Sequence, residues 1–144
     1  LSAASEAIDA GIISTLRASD RIYDASFLPS ILVPSERTLP FLREAAARYQ
    51  ADILLIYRSV CRSFERYRLF EPNTVRSYCT VEAVLLDVRT GLVPFTASTT
   101  RVVRTEQSRE DLNLREAILR SQLDAVAEAM DEVAEGVVDF LDAA

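Results

Sequence analysis

Two stretches, Asp52-Ile53-Leu54-Leu55-Ile56-Tyr57-Arg58-Ser59-Val60-Cys61 and Cys79-Thr80-Val81-Glu82-Ala83-Val84-Leu85-Leu86-Asp87-Val88, decide the fold. Each is rich in β-branched and aliphatic residues and of strand length, and together they predict long strands over 52–64 and 75–88. Setting Cys61 opposite Cys79 centres the intervening loop on Phe70 and fixes every other pair. Leu55 then faces Leu85, Tyr57 faces Ala83, Ser59 faces Val81 and Ser63 faces Ser77. On the other face Leu54 meets Leu86, Ile56 meets Val84, Arg58 meets Glu82 and Phe64 meets Arg76. This register puts apolar partners together at the base and an Arg–Glu pair across the strands, as cross-strand stabilisation requires. Both faces are apolar near the base, so helices are expected to cover the sheet on both sides there. Toward the tip one face carries Arg58, Arg62, Arg66 and Arg76. Two chemistries suit the cysteine pair: a cross-strand disulfide, which belongs to an oxidising compartment, or two buried thiols acting as small apolar groups.

Outward from the hairpin, residues 93–105 predict a third strand, joined through the compact turn Arg89-Thr90-Gly91, with Gly91 at the position that needs positive φ. Residues 38–50 predict a helix with Thr38 at its cap, Pro40 in its first turn and Leu42, Ala45, Ala46 and Tyr49 inward. Residues 3–18 predict another, with Ile8, Ile12 and Leu16 every four positions, Ile13 beside them and Ser2 or Ser5 as cap. Residues 21–28 favour a short strand ending at Pro29, and the stretch from Pro29 to Pro34 is expected to be irregular. Residues 109–141 predict a long helix or two consecutive ones. Ser108 and Asp111 resemble a capping box, Leu112, Leu119, Val126, Val133 and Phe140 recur every seven residues, and Leu123, Met130 and Val137 fill the turns between. Such a helix is roughly 50 Å long, against ~30 Å for a small domain, so a break at Gly136, an overhang or a neighbour is expected. The fold class is therefore α/β (α+β): a mixed sheet with a three-stranded antiparallel meander, helices on both faces and a long C-terminal helix.

The chain has 144 residues, the size of one domain, and 49% of them are apolar, which excludes a disordered chain. His and Trp are absent and all 16 basic residues are Arg. Histidine catalysis, histidine metal ligands, Schiff-base lysines and P-loop lysines are excluded together. The net charge of −6 opposes a nucleic-acid partner, despite Arg residues interleaved with Phe64, Tyr67, Phe70 and Tyr78. No apolar run reaches the ~18 residues of a membrane span. No hydrolase, zinc, dinucleotide, P-loop or calcium motif occurs, and no residue is assigned a catalytic, cofactor-binding or metal-binding role. Asp52 and Asp87 flank apolar runs and read as strand-end or turn residues. Glu128, Asp131, Glu132, Glu135, Asp139 and Asp142 make the last helix acidic. That is an ordinary solvated face, or a docking face for the Arg-bearing hairpin of another subunit.

The order helix, strand, helix, three antiparallel strands, long helix is joined by two local signatures. Ala45-Ala46-Ala47-Arg48-Tyr49-Gln50-Ala51-Asp52-Ile53-Leu54-Leu55-Ile56-Tyr57 runs from a helix through Ala-Asp into an apolar strand. Val84-Leu85-Leu86-Asp87-Val88-Arg89-Thr90-Gly91 ends an apolar strand in Asp-x-x-Thr-Gly. Together they resemble the periplasmic domain of bacterial outer-membrane lipoproteins related to the curli-secretion lipoprotein, a fold shared with the TolB amino-terminal domain and the lipoprotein activators of penicillin-binding proteins. The resemblance spans roughly residues 5–141 and places Asp52, Asp87, Thr90 and Gly91 at structural positions. It implies one periplasmic domain over 1–144, with a first strand, a lipidated cysteine and a signal peptide upstream of Leu1. No connection is long enough for the membrane barrel of the secretion-channel members. The implied function is non-enzymatic: an envelope domain that binds another protein or assembles with itself. Arg58, Arg62, Arg66, Arg76, Glu128, Asp131 and Glu135 are the candidate interface. The competing expectation is an enzyme or small-molecule site using Asp87, Glu82 and nearby Arg residues.

Overall fold

The computed structural model describes residues 2–107 and 114–144. Their order is α1 (Ser2–Arg17), a single 3₁₀ turn (Ser30–Leu32), α2 (Leu39–Arg48), β1 (Ile53–Arg66), β2 (Thr74–Asp87), β3 (Phe95–Glu106) and α3 (Leu114–Ala143). The three strands form one antiparallel sheet in the order β1-β2-β3. The register is the one set by the cysteines: Cys61 lies opposite Cys79, Leu55 opposite Leu85 and Arg58 opposite Glu82. The side chains of Ser2 and Ser5, and Ser108, Asp111 and Leu112, lie outside the described residues.

β2 is the central strand, and Val75, Ser77, Cys79, Val81, Ala83 and Leu85 are buried along one of its faces. α1 and α3 cover that face. Ile12 and Leu16 of α1 and Ala129, Met130, Val133 and Val137 of α3 close on Val81, Ala83 and Leu85, with Phe95 and Phe140 stacked at 5.1 Å. Nearer the hairpin tip the layer changes character. Ser121 donates to the Val103 carbonyl at 3.1 Å, Gln122 donates to the Ser63 hydroxyl at 2.9 Å, and Ser63 and Ser77 share a 2.8 Å bond. The buried hydroxyls are thus satisfied, which burial demands.

α3 neither breaks nor overhangs. Thirty residues at 1.5 Å make a rod of about 45 Å. A 14-residue strand at about 3.3 Å per residue has the same length. The helix runs along the sheet from the Glu106 carbonyl, bound by Arg120, to Phe95, stacked on Phe140. Gly136 sits where an added Cβ would meet the Phe95 ring at 3.6 Å, so the helix continues through it in ordinary contact. The residues nearest the sheet are small: Ala117, Ser121, Ala125 and Ala129 are all fully buried, while Leu119, Leu123 and Val126 are half-buried. Small side chains let the helix axis approach the pleated surface, and the larger ones reach down on either side.

α2 covers the opposite face at its base. Ala45 and Ala46 are buried on it, and Leu86, which points to that side, is 1% exposed. Arg43 fastens α2 to the β2–β3 turn by donating to the carbonyls of Val88 (2.7 Å) and Arg89 (2.6 Å). Gly91 has φ +76°, and the Arg43 guanidinium occupies the space a side chain there would need. Thr38 caps α2 through its carbonyl, which accepts from Leu42, and its hydroxyl makes no capping bond. The helix ends in a Schellman arrangement, with Ala51 N–H bonded to the Ala46 carbonyl and Gln50 at φ +62°, a place usually taken by glycine.

Residues 21–28 do not form the expected strand. Ile22, Ala25 and Leu28 are half-buried and the residues between are exposed, a period of three where a strand needs two. Arg17 holds the segment by donating to the Ala25 carbonyl at 2.9 Å. With no fourth strand there, the described sheet is antiparallel throughout.

The Tyr57 hydroxyl ties β1 to α1 by donating to Asp9 at 2.9 Å. Burial first, then the hydrogen bond and charge of Asp9, push its pKa well above the ordinary tyrosine value. A raised folded-state value means the contribution is whole below about pH 10 and is lost as pH rises through the folded value. Tyr57→Phe is therefore expected to cost about 1 kcal/mol at neutral pH. It should also flatten the loss of stability above about pH 10, read by urea unfolding of both proteins at the two pH values.

Candidate functional site

α2 is ten residues long and spans about 15 Å, a third of the strands it lies against. Beyond it no other described element covers the outer face of the sheet. The register reads out its rows across β1, β2 and β3: Val60–Thr80–Thr100, then Arg62–Tyr78–Val102, then Phe64–Arg76–Arg104. Alternation along each strand points all nine side chains away from α3. Phe64 and Tyr78 meet edge to face at 5.7 Å. Val60, Phe64 and Val102 are 57%, 63% and 49% exposed, so a band of apolar surface crosses the sheet. Such contiguous exposure marks an interaction surface more often than chance scatter does.

The charges on this face divide into two groups. Arg58 is paired with Glu82 at 2.6 Å. Arg62, Arg66, Arg76 and Arg104 have no ion pair among the described residues. Arg76 and Arg104 are direct cross-strand neighbours, a like-charge pairing that opposes folding of an isolated sheet. Sequence reading picked out Arg58, Arg62, Arg66 and Arg76 but missed Arg104 and Val102. Extending the hairpin register across the β2–β3 turn identifies both.

The acidic residues lie on the far side of the molecule. Glu128, Asp131, Glu135, Asp139 and Asp142 are exposed at three- and four-residue spacing. They lie opposite the stripe of Ala129, Val133 and Val137 that meets the sheet. Glu132 turns sideways and pairs with Arg101. The candidate interface residues therefore do not meet within one chain: the Arg face and the acidic stripe point in opposite directions.

Cys61 and Cys79 are joined in a disulfide whose Cα atoms are 4.2 Å apart. It staples the hairpin just inside the Arg62–Tyr78 row. Asp87 is engaged in the β2–β3 turn, where its carboxylate accepts from the backbone of Arg89 (2.9 Å) and Thr90 (3.3 Å). The Thr90 amide bond, helped by Arg89, holds its pKa below the ordinary carboxylate value. Asp52 pairs with Arg89 at 3.0 Å beside it. Glu82 projects from the other face of β2, five residues and about 17 Å away along the strand. Asp87 and Glu82 do not converge on a common site. A surface depression of about 470 Å3 lies elsewhere, between the ends of α1 and α3, lined by Thr15, Ser19, Arg21, Glu135 and Asp142. Among the described residues no group of acids and cysteines is arranged to hold a metal ion, and no helix is long and apolar enough to cross a membrane.

No protein-family model matches the chain, and no curated protein matches it. Solved structures do. A candidate lipoprotein from Caulobacter crescentus CB15 aligns over 92% of this chain and 96% of its own at 17% identity, with a TM-score of 0.49. A hypothetical protein from Chlamydia trachomatis aligns over 96% of this chain and 85% of its own at 11% identity, with a TM-score of 0.53. The second likeness establishes a shared fold: helices packed on an antiparallel meander, closed by a long C-terminal helix.

Proposed function

We propose that this chain is a non-enzymatic protein-interaction domain of the bacterial cell envelope, and that its outer sheet face docks on the acidic stripe of α3 in a second copy. The observation that carries the reading is the bare face itself, where four Arg residues without acid partners among the described residues surround exposed Val60, Phe64 and Val102. An apolar centre with a charged surround is the usual anatomy of a protein interface. The chain supplies the complementary charge in Glu128, Asp131, Glu135, Asp139 and Asp142. Because the two surfaces face opposite ways, the contact is head to tail and grows into an open series rather than closing as a dimer. The disulfide supports an oxidising compartment such as the periplasm. The resemblance of residues 45–57 and 84–91 to outer-membrane lipoproteins supports attachment through a lipidated segment upstream.

Sedimentation velocity across a concentration series tests this. A concentration-dependent series of oligomers is expected, shrinking as salt screens the charged contact. Arg62→Glu with Arg76→Glu should weaken it by at least about tenfold, ~1.4 kcal/mol. A monomer of unchanged mass at every concentration and salt level would overturn the self-docking reading.

A further inference from the structure

The β1–β2 hairpin ends in a convex apolar tip. Leu69 is 95% exposed, Phe70 99% and Tyr67 71%. The Tyr67 hydroxyl donates to Glu65 at 2.9 Å, whereas Leu69 and Phe70, this apolar and this exposed at the end of a hairpin, call for a medium that accepts them. The tip is ordered by polar bonds that leave its crown free. The Asn73 side chain accepts from Arg68 N–H at 2.9 Å, its carbonyl accepts from Gln107 N–H at 2.8 Å, and its amide donates to the Gln107 side chain at 3.1 Å. The disulfide holds the two strands together behind it.

Charge is segregated along the same axis. Among the described residues, 60–80, 100–107 and 114–123 make the tip half and hold eight Arg and four Glu. Residues 124–144, at the other end of α3, hold seven acids and no base. The two ends are separated by tens of ångströms along a 45 Å helix, several times the ~8 Å Debye length at physiological salt. The net charge of −6 therefore does not describe what the tip presents. Arg66 stands at the last ladder pair before the loop, and Arg76 and Arg104 stand side by side two residues behind it.

We propose that the hairpin tip docks on an anionic lipid surface, Leu69 and Phe70 entering the boundary between headgroups and acyl chains while Arg66, Arg76 and Arg104 meet the lipid phosphates. A fluid interface receives a convex apolar tip without a pocket shaped to it. Combining short apolar insertion with basic residues is the two-signal pattern of reversible membrane attachment. The Arg side chains stand about 7 Å or less behind the loop along the strands, within the ~5–10 Å depth of interfacial insertion. Deeper entry is opposed by the irregular backbone of 67–73 and by Glu71, which is paired with Arg68. The tip projects along the strands, whereas the proposed self-docking runs perpendicular to the sheet; Arg66, Arg76 and Arg104 border both surfaces, while Leu69 and Phe70 belong to the tip alone and Arg62 to the sheet face alone.

The chain contains no Trp, so Phe70→Trp places a single reporter at the crown. Its emission is expected to shift to the blue, and to be quenched by lipids brominated near the glycerol, on vesicles of phosphatidylglycerol and phosphatidylcholine in equal amounts. Vesicle flotation of the unlabelled chain should show the same preference over pure phosphatidylcholine. Leu69→Ser with Phe70→Ser should reduce partitioning about a hundredfold, tenfold for each side chain, with an unchanged melting temperature because neither side chain is packed. Arg66→Gln should reduce it about fivefold. Absence of partitioning, equal partitioning on neutral vesicles, or full partitioning of the Leu69→Ser/Phe70→Ser variant would each overturn the proposal. So would a blue shift that grows with protein concentration in the absence of lipid, since it would assign the tip to a second copy. Self-docking is read separately by sedimentation without lipid and with Arg62→Glu, a residue the lipid contact does not use, so either reading can fail alone.

Discussion

Leu85→Ala is expected to lower the free energy of unfolding by about 3–4 kcal/mol, the middle of the range for a buried leucine. Leu85 is 2% exposed near the C-terminal end of the middle strand, at the base of the hairpin. It lies opposite Leu55 on one side and Phe95 on the other, beneath the helices that carry Ile12, Val133 and Val137. Two ladders fix the strand in position, and α1 and α3 are long rods that cannot bend into a hole left by one side chain. The cavity therefore stays open and its cost adds to the lost transfer energy. The loss is a large share of the ~5–15 kcal/mol typical of a domain. Guanidinium unfolding should show a lower midpoint with an unchanged slope. Leu69→Ala, at the exposed tip, serves as the contrast, with an expected change within about 0.5 kcal/mol. A cost below about 1 kcal/mol for Leu85→Ala would mean that the helices do not close on this face.

Removing the Cys61–Cys79 disulfide is expected to cost about 3 kcal/mol, the value for constraining a loop of this length in the unfolded chain. The effect should be uneven along the hairpin. Around Leu85 the core is made of Leu, Val, Ile, Met and Phe and remains packed without the covalent link. On the tip side the buried layer is Val75, Ser77, Ala117 and Ser121, with Ser63 half-buried beside them, and the serines are held by hydrogen bonds worth about 1 kcal/mol each. Cys61→Ala with Cys79→Ala, which avoids burying an unpaired hydroxyl, should lower the melting temperature. Hydrogen exchange should accelerate over 62–78 much more than over 54–56. An unchanged melting temperature on reduction, with uniform exchange, would count against a staple that holds the tip half together. Loosening there would also disturb both proposed docking surfaces, since Phe64, Tyr78 and the tip all lie beyond the sulfurs.

Local chemistry carried much of this architecture. One pairing, Cys61 with Cys79, generated the whole β1–β2 ladder, because side chains alternate with a period of two and a slip of one residue would have buried Arg58 and Arg62 and exposed Leu55 and Leu85. Gly91 announced the turn because only glycine takes its backbone angle there at no steric cost. The 3.6-residue periodicity marked all three helices. The failures share a cause. Residues 21–28 have strand-like composition, but a strand exists only where a partner supplies its hydrogen bonds, and neither edge of the sheet comes to them. The heptad of large residues drew attention away from Ala117, Ser121, Ala125 and Ala129, which line the contact because closeness to a sheet selects for small volume. The length of α3 looked excessive against a small domain, although the strands expected over 52–64 and 75–88 were already nearly as long.

Composition and pattern along the chain were enough for the three helices, the three sheet strands, the hairpin register and the exclusion of histidine and lysine chemistry, since each depends on residue identity or on neighbours a few positions away. Where the charges lie relative to one another was settled only by folding. A net charge of −6 hides a basic end and an acidic end. Arg104 joins Arg76 only because β3 folds back beside β2, and the acidic stripe faces away from both only because α3 packs by its alanine edge. Electrostatic potential depends on distance in space and is screened within about 10 Å. A sum over the sequence cannot contain that information, and the packing of helix against sheet supplies it.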